Sequence, residues 1–253
     1  MTVTAPRCLP TVSDPTILRR YPDARVEERD ALLELVDLTP GMRVLDLQAA
    51  GGYLSEAVWR RLDGAVSCVC VEPSDAHRAR LDARFVAISD PIERFPSVPD
   101  ASIDVVLGLA GLHHSTSHAQ TVAEAHRVLR PGGALALCDV LAGSAQARWL
   151  NDFVDRHCPS GHDGRFPEPG ATSALMRAAG FDLVEETVRD VPWRSASRAD
   201  ILGFMVGIFG LATPVDVVDA AVDDYLELRA APDGSVAVTW PLMYCRGVKP
   251  RQA

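Results

Sequence analysis

The sequence predicts an α/β protein built on a doubly wound, mainly parallel sheet. Three observations carry this expectation. Short apolar runs alternate with helix-period segments from Met42 to Val140, the pattern of repeated βαβ units with right-handed crossovers. Within several runs the apolar residues are continuous rather than alternating, as in strands covered on both faces. The first run, Val44-Leu45-Asp46-Leu47, ends in a small-residue turn, Gln48-Ala49-Ala50-Gly51-Gly52, that opens straight into a helical pattern. Small residues there let the backbone approach a ligand closely, and the helix turns its N-terminal amides toward the same spot.

The elements follow in order. The chain is irregular before Arg25, then helical from Arg25 to Val36, with Thr39-Pro40-Gly41 as the stop. Met42 to Leu47 is the first strand. Leu54, Val58 and Leu62 recur at i, i+4 and i+8 as the buried stripe of a helix that Gly64 ends. Ala65 to Val71 is the second strand, closing at Glu72-Pro73-Ser74, and Phe85 to Ser89 the third, closing at Asp90-Pro91. Pro99-Asp100-Ala101-Ser102 turns the chain into a fourth strand, Ile103 to Leu109. A helix over Ala119 to Leu129 stops at Arg130-Pro131-Gly132-Gly133, and Ala134 to Val140 is the fifth strand.

Beyond residue 141 the periodicity loosens. Ala145 to Val154 reads as a helix, His157 to Gly170 as a loop, Ala171 to Ala179 as a helix closed by Gly180, and Phe181 to Val191 as a strand. Ile201 to Leu211 is almost wholly apolar but too short for a membrane span, so it is a buried helix or a lid. Asp216 to Leu228 is amphipathic, and Ser235 to Cys245 is the last strand. With no internal repeat or low-complexity linker, residues 1–253 form one domain: an N-terminal helical segment (1–40), a ligand-binding core (41–141) and a substrate-side region (142–253) with a helical lid near 192–233. Core packing and an apolar pocket both account for Trp193, Phe204, Met205, Phe209 and Trp240 under the glycines at 203, 207 and 210.

Composition narrows the function. A net charge of −9 and a pI near 5.2 disfavour a nucleic-acid partner. No apolar stretch approaches the roughly 18 residues that span a bilayer, and Met1 to Pro15 has neither a basic nor an apolar signal region. The six cysteines, Cys8, Cys68, Cys70, Cys138, Cys158 and Cys245, are scattered and partly strand-borne. That suits reduced thiols in a cytoplasmic enzyme better than a disulfide frame or a zinc site. Lys249 is the one lysine among 25 basic residues, a usage that points to a GC-rich genome and argues against a catalytic lysine. A homodimer is an open option.

At this point the chain resembles the class I S-adenosylmethionine-dependent methyltransferases, in their small-molecule branch. The resemblance rests on the Val44–Ser55 strand and turn, on Glu72 twenty residues after Gly52, and on Asp90 after the third strand. It rests most on the run Asp104-Val105-Val106-Leu107, Leu112-His113-His114, Glu124 and Arg127-Val128-Leu129-Arg130-Pro131-Gly132-Gly133. It implies a Rossmann-like seven-stranded sheet and S-adenosyl-L-methionine as cofactor. It also implies methyl transfer to an O, N or C atom of a small metabolite, in keeping with bacterial secondary metabolism.

Residue by residue, the resemblance assigns the ribose hydroxyls to Glu72, beside Pro73, because a terminal carboxylate makes charge-assisted bidentate bonds. It assigns the adenine amino group to Asp90, with Pro91 as an apolar wall. Asp46, Gln48, Ala50 and Gly52 frame the amino-acid end, and Leu109 and Ala110 face the methionine part. His114 is the candidate base and His113 the positioning residue, since imidazole titrates in the useful range. His118, His157 and His162 are further substrate-loop candidates, and no metal is expected, although His113, His114 and Asp139 stand in the right stretch for one. The family pattern has glycine at positions 48, 50 and 52, whereas this chain has Gln48, Ala50 and Gly52. That departure leaves two alternatives open: a protein that binds S-adenosylmethionine for a non-methylating reaction such as cyclisation, or a non-catalytic relative.

Overall fold

The computed structural model describes Asp14 and residues 16–251; the expectations for the chain up to Ser13, Cys8 included, and for Pro15 lie outside them. From the N-terminus come α1 (Ile17–Arg20), α2 (Val26–Leu33), β1 (Arg43–Leu47), α3 (Tyr53–Arg61), β2 (Ser67–Val71), α4 (Asp75–Arg78), β3 (Val86–Ile88) and β4 (Ile103–Leu109). A 3-10 turn at Leu112–His114 leads to α5 (His118–Val128) and β5 (Leu129–Asp139). Then α6 (Ala145–Arg148), a π-helical stretch (Trp149–Val154) and α7 (Asp155–His157) run on without a break. They are followed by α8 (Ala171–Ala178), β6 (Asp182–Asp190), β7 (Trp193–Ser195), α9 (Arg198–Phe209), α10 (Val215–Tyr225), β8 (Leu228–Ala230), β9 (Val236–Val238) and β10 (Pro241–Val248).

The main sheet has seven strands in the order β3-β2-β1-β4-β5-β10-β6. The first five pair in parallel, and β10 runs antiparallel to both neighbours. Alternate strand residues feed two apolar layers, which is why these strands read as unbroken apolar runs. Val44, Cys68, Cys70, Val105, Leu107 and Cys138 face one layer, with α2 and α3. Leu45, Val69, Val71, Val106, Leu135 and Leu137 face the other, with α5 and α8. Since β1 lies between β2 and β4, the chain reverses its winding there, and a crevice opens beyond the carboxyl ends of those strands. Cys68, Cys70, Cys138 and Cys245 are buried and unbridged, and Cys158 is buried as well. No helix there is long and apolar enough to cross a membrane.

Four expectations are corrected. Ser235–Cys245 is two strands, because Pro241 carries no N–H and Trp240 N donates to Asp190 Oδ1 at 3.2 Å; β9 joins a separate three-stranded sheet, β7-β9-β8. The segment near 192–233 is therefore mixed rather than helical. Arg130–Gly133 is no gap between helix and strand: Leu129 already pairs with Ile103, and the register shifts before Val105 meets Ala134. Finally, the helix from Ala145 loses its α-helical period at Trp149, where six residues adopt the wider π geometry, a local device common at functional sites.

Candidate active site

The crevice begins at the turn after β1. Gln48 (φ 64°), Ala50 (φ 42°), Gly51 (φ 85°) and Gly52 (φ 93°) all lie in the left-handed region. Glycine adopts this freely, whereas an L-residue gives up about 1–2 kcal/mol. The turn that glycines make elsewhere is thus kept here with side chains attached, and carboxylates brace it. Glu72 Oε2 accepts from Ala50 N at 2.8 Å and Glu72 Oε1 from Ser74 N at 2.8 Å. Asp46 Oδ2 accepts from Ser55 N at 3.0 Å and Ser55 Oγ at 2.6 Å, capping the first turn of α3. Burial pushes the Asp46 carboxyl up to about 6, against the pull of those two hydrogen bonds.

Asp46, Gln48 and Ala50 line a narrow cleft opposite Leu109, Ala110 and Gly111, with His114 also in its wall. Leu18 of α1, Arg25 and Tyr53 also line it, and about 50 Å³ of free volume remains. An adjoining cleft of about 500 Å³ lies against Gly51, Gly52, Tyr53, Arg29 and Arg84. Gln48 reaches into the narrow cleft: a methyl group on Gly111 would stand 2.8 Å from Gln48 Oε1. That oxygen is buried and has no hydrogen-bond partner.

Other expected residues lie apart. Glu72 is only 1% exposed and sits under the turn rather than in the cleft wall. Pro73 and Pro91 are exposed, and Asp90 Oδ2 accepts from Ser97 N at 3.0 Å, the job of a turn former. His157 packs against Phe153 and is not part of the group that His113, His114 and His162 form.

The histidine end is built differently. Asp139, at the end of β5, accepts from His113 N at 2.9 Å and from Val140 N at 2.7 Å, and its Oδ1 lies 2.7 Å from His113 Nδ1. Burial drives the His113 imidazole down to about 3 and the Asp139 carboxyl up to about 6. His113 is therefore neutral at pH 7, its Nδ1–H donating to the carboxylate. Burial also lowers His114 well below its ordinary value and His162 to about 3. The rings of His113 and His114 are 4.1 Å apart, and His162 lies 5.5 and 5.6 Å from them.

Sequence reasoning missed a second buried pair. Arg25 Nε donates to Glu28 Oε2 at 2.8 Å, and Trp193 Nε1 donates to the same oxygen at 2.8 Å. Glu28 is fully buried, and Tyr244 OH donates to its backbone oxygen at 3.0 Å. Arg25 also touches the cleft. The one available signal was an Arg25–Glu28 spacing of three, too common to single out. The apolar insertion likewise packs as core: Trp193, Phe204, Met205, Phe209 and Trp240 are all buried. Gly203 and Gly207 serve close approach rather than a hinge, because an added methyl group would stand 2.6 Å from Tyr21 OH at the first and clash with Ile17 Cδ1 at the second. So α9 grips α1, and α1 in turn puts Leu18 into the cleft.

Comparison with known proteins agrees with this architecture. Residues 19–186 match the family described as methyltransferase domain. The 27-O-demethylrifamycin SV methyltransferase of Amycolatopsis mediterranei is 32% identical over 126 residues, 47% of this chain and 46% of that protein. The chain thus spans about half the length of that relative. The ubiquinone biosynthesis O-methyltransferase of Xylella fastidiosa is 32% identical over 174 residues, covering 62% of this chain and 68% of the relative. In three dimensions the YcgJ protein of Bacillus subtilis superposes with a TM-score of 0.61 at 17% identity, over 89% of this chain and 99% of that one. With its strand order, its β1–α3 turn and this match over most of its length, the chain belongs to the methyltransferase-domain family and has the class I fold of S-adenosylmethionine-dependent enzymes.

Proposed function

We propose that the cleft binds S-adenosylmethionine and that the protein transfers its methyl group to an oxygen of a small metabolite, within a biosynthetic pathway. The observation that carries this reading is the juxtaposition, in one cleft, of a left-handed β1–α3 turn and a neutral histidine, His114, beside the Asp139-aligned His113. The residues present fit the cofactor chemically. The orphan Gln48 Oε1 is an acceptor for an ammonium group, and Leu109 and Ala110 offer an apolar wall. Volume is the obstacle, since ligand sites generally enclose about 300–1,000 Å³; binding therefore entails outward movement of Leu18 and Tyr53, joining the two clefts. Release of the Glu72 carboxylate from Ala50 N would free it for the ribose hydroxyls.

When bound, the sulfonium supplies an already activated methyl group. The protein's task is then to hold the acceptor in line and take its proton. His114 is neutral and lies in the cleft wall, so it is positioned to accept a hydroxyl proton. The name of the ubiquinone biosynthesis O-methyltransferase, similar to this chain, favours oxygen over nitrogen or carbon as acceptor.

The test uses methyl-labelled S-adenosylmethionine with a panel of hydroxylated small molecules, read by product mass. The expected result is a gain of one labelled methyl on oxygen. His114→Ala is expected to slow turnover about 10²–10⁴-fold with S-adenosylhomocysteine affinity unchanged. Product formed without a mass gain would instead support a non-methylating reaction, and full turnover in the variant would remove His114 as base.

A further inference from the structure

We propose that His113, His114 and His162 form a binding site for one divalent transition-metal ion of the zinc class, beside the cleft that His114 lines. One potential ligand atom from each of the three lies within 4.8 Å of the others. Imidazole nitrogens on one tetrahedral ion stand roughly 3.3 Å apart, so the three ligand atoms need to draw together by at most about 1.5 Å.

Two of the three rings already have the outer support that metal-bound histidines use. A ligating histidine nearly always donates its second ring N–H to a carboxylate or carbonyl, which fixes the tautomer and the ring plane. His113 does so through Nδ1 to Asp139 Oδ1 at 2.7 Å. His162 does so through Nδ1 to Asn151 Oδ1 at 2.8 Å. The Asn151 amide is itself fixed in orientation: its Oδ1 accepts from Gly164 N at 2.9 Å and its Nδ2 donates to Gly164 O at 2.9 Å. An oxygen that only accepts leaves the proton on His162 Nδ1 and the lone pair on Nε2. That Nε2 is buried and has no hydrogen-bond partner, an unmet acceptor in a residue only 4% exposed.

The surrounding chain is shaped for this arrangement. The π-helical stretch carries Asn151. Gly164 leaves room for the rings, since an added methyl group would stand 2.7 Å from His162 Cε1 and 3.1 Å from His113 Cδ2. Phe166 lies against both rings at 4.9 and 6.1 Å.

Three imidazoles select zinc, cobalt, nickel, copper or ferrous iron over magnesium or calcium, which want oxygen donors. Three protein ligands leave a coordination position open, as in catalytic rather than structural sites. Because His114 lines the cleft, that position is open to an acceptor hydroxyl. In the metal-loaded protein the oxygen would bind the ion and its proton would pass to solvent, the ion's Lewis acidity taking over the deprotonation that His114 performs in the metal-free protein. This catalytic role rests on the methyl-transfer reading; metal binding does not.

The experiment titrates the full-length, untagged, chelator-treated protein with Zn²⁺ against a chromophoric chelator, and with Co²⁺ followed by visible absorption. One tight site per chain is expected, with intense ligand-field bands from a low-coordinate cobalt ion. His162→Ala is expected to abolish both signals, Asn151→Ala to weaken zinc binding about 10–100-fold, and His157→Ala to change neither. Should the His162 variant fail to fold, His114→Ala at its half-buried position gives the same readout. No binding at millimolar Zn²⁺, or equal binding in the His162 or His114 variants, overturns the site. S-adenosylhomocysteine binding measured on the same samples keeps the two readings separate: its loss with zinc binding intact removes the methyl-transfer reading alone.

Discussion

The two ends of the cleft are organised in opposite ways. At the turn end, strained backbone at Gln48 and Ala50 is held by Glu72, and the space is filled by the protein's own groups: Gln48, Leu18 and Tyr53. At the histidine end, the rings are spaced, supported from behind by Asp139 and Asn151, and kept neutral by burial. The first end has to open before a nucleoside could enter, whereas the second needs only a small closure of rings already supported from behind. On the proposed reading the difference says where binding energy would go: it would be spent on opening the nucleoside side, while the acceptor side would need little reorganisation.

The largest expected effect breaks the turn end from outside. Glu28→Ala leaves Arg25 buried without its charge partner, and breaking a buried pair in this way costs about 3–5 kcal/mol. Urea unfolding should show that loss, and a loss below 1 kcal/mol would mean the pair does not hold α2 to the sheet. Next, Glu72→Ala takes the acceptor from Ala50 N and Ser74 N, and is expected to cost about 1.5–3 kcal/mol of stability while weakening S-adenosylmethionine binding. Unchanged affinity would leave Glu72 as a purely structural brace.

Acid probes the histidine end. His113 and His162 are depressed to about 3 by burial, so the unfolded chain binds their protons first. Their contribution is present above the ordinary imidazole value near 6.5 and is lost as pH falls toward 3. At pH 5 each is expected to have given up about 2 kcal/mol. Asp46 and Asp139, raised to about 6, work in the opposite sense, their contribution fading as pH rises through 6. Because more histidines than acids are shifted in the site, melting temperature should fall between pH 7 and pH 5. A flat profile would contradict neutral, buried imidazoles. The smallest effect is Gln48→Gly, which relieves a left-handed side chain and removes a buried, unpartnered oxygen. A gain of about 1 kcal/mol is expected, and a loss would show that the amide is more than a plug.

The contrast between the two ends also marks what the sequence revealed. Strands β1 to β5 were legible because each is buried on both faces and ends in an unmistakable breaker, such as Glu72-Pro73 or Asp90-Pro91. The turn was legible in place but not in consequence. Nothing in the run Gln48 to Gly52 tells whether glycines were replaced because the backbone changed or despite its staying left-handed. His113 and His114 were found from their position after β4, and Asp139 only as a residue that could stand with them around a metal. Their assembly with His162 was not, because Asn151 reaches that ring only where the helix widens to π geometry, and no local preference encodes that. The Trp240–Pro241 break and the second sheet were hidden by one continuous apolar stretch, which carries no mark of a strand changing partners.

Whether the cleft takes the nucleoside is the most direct question to put to the protein. Calorimetric titration with S-adenosylhomocysteine should give one saturable site per chain. Gly111→Leu, which drives a side chain into the place held by Gln48 Oε1, should abolish that site while far-UV circular dichroism stays unchanged. No heat with the unaltered protein at millimolar ligand, or equal binding in the folded Gly111 variant, would contradict it.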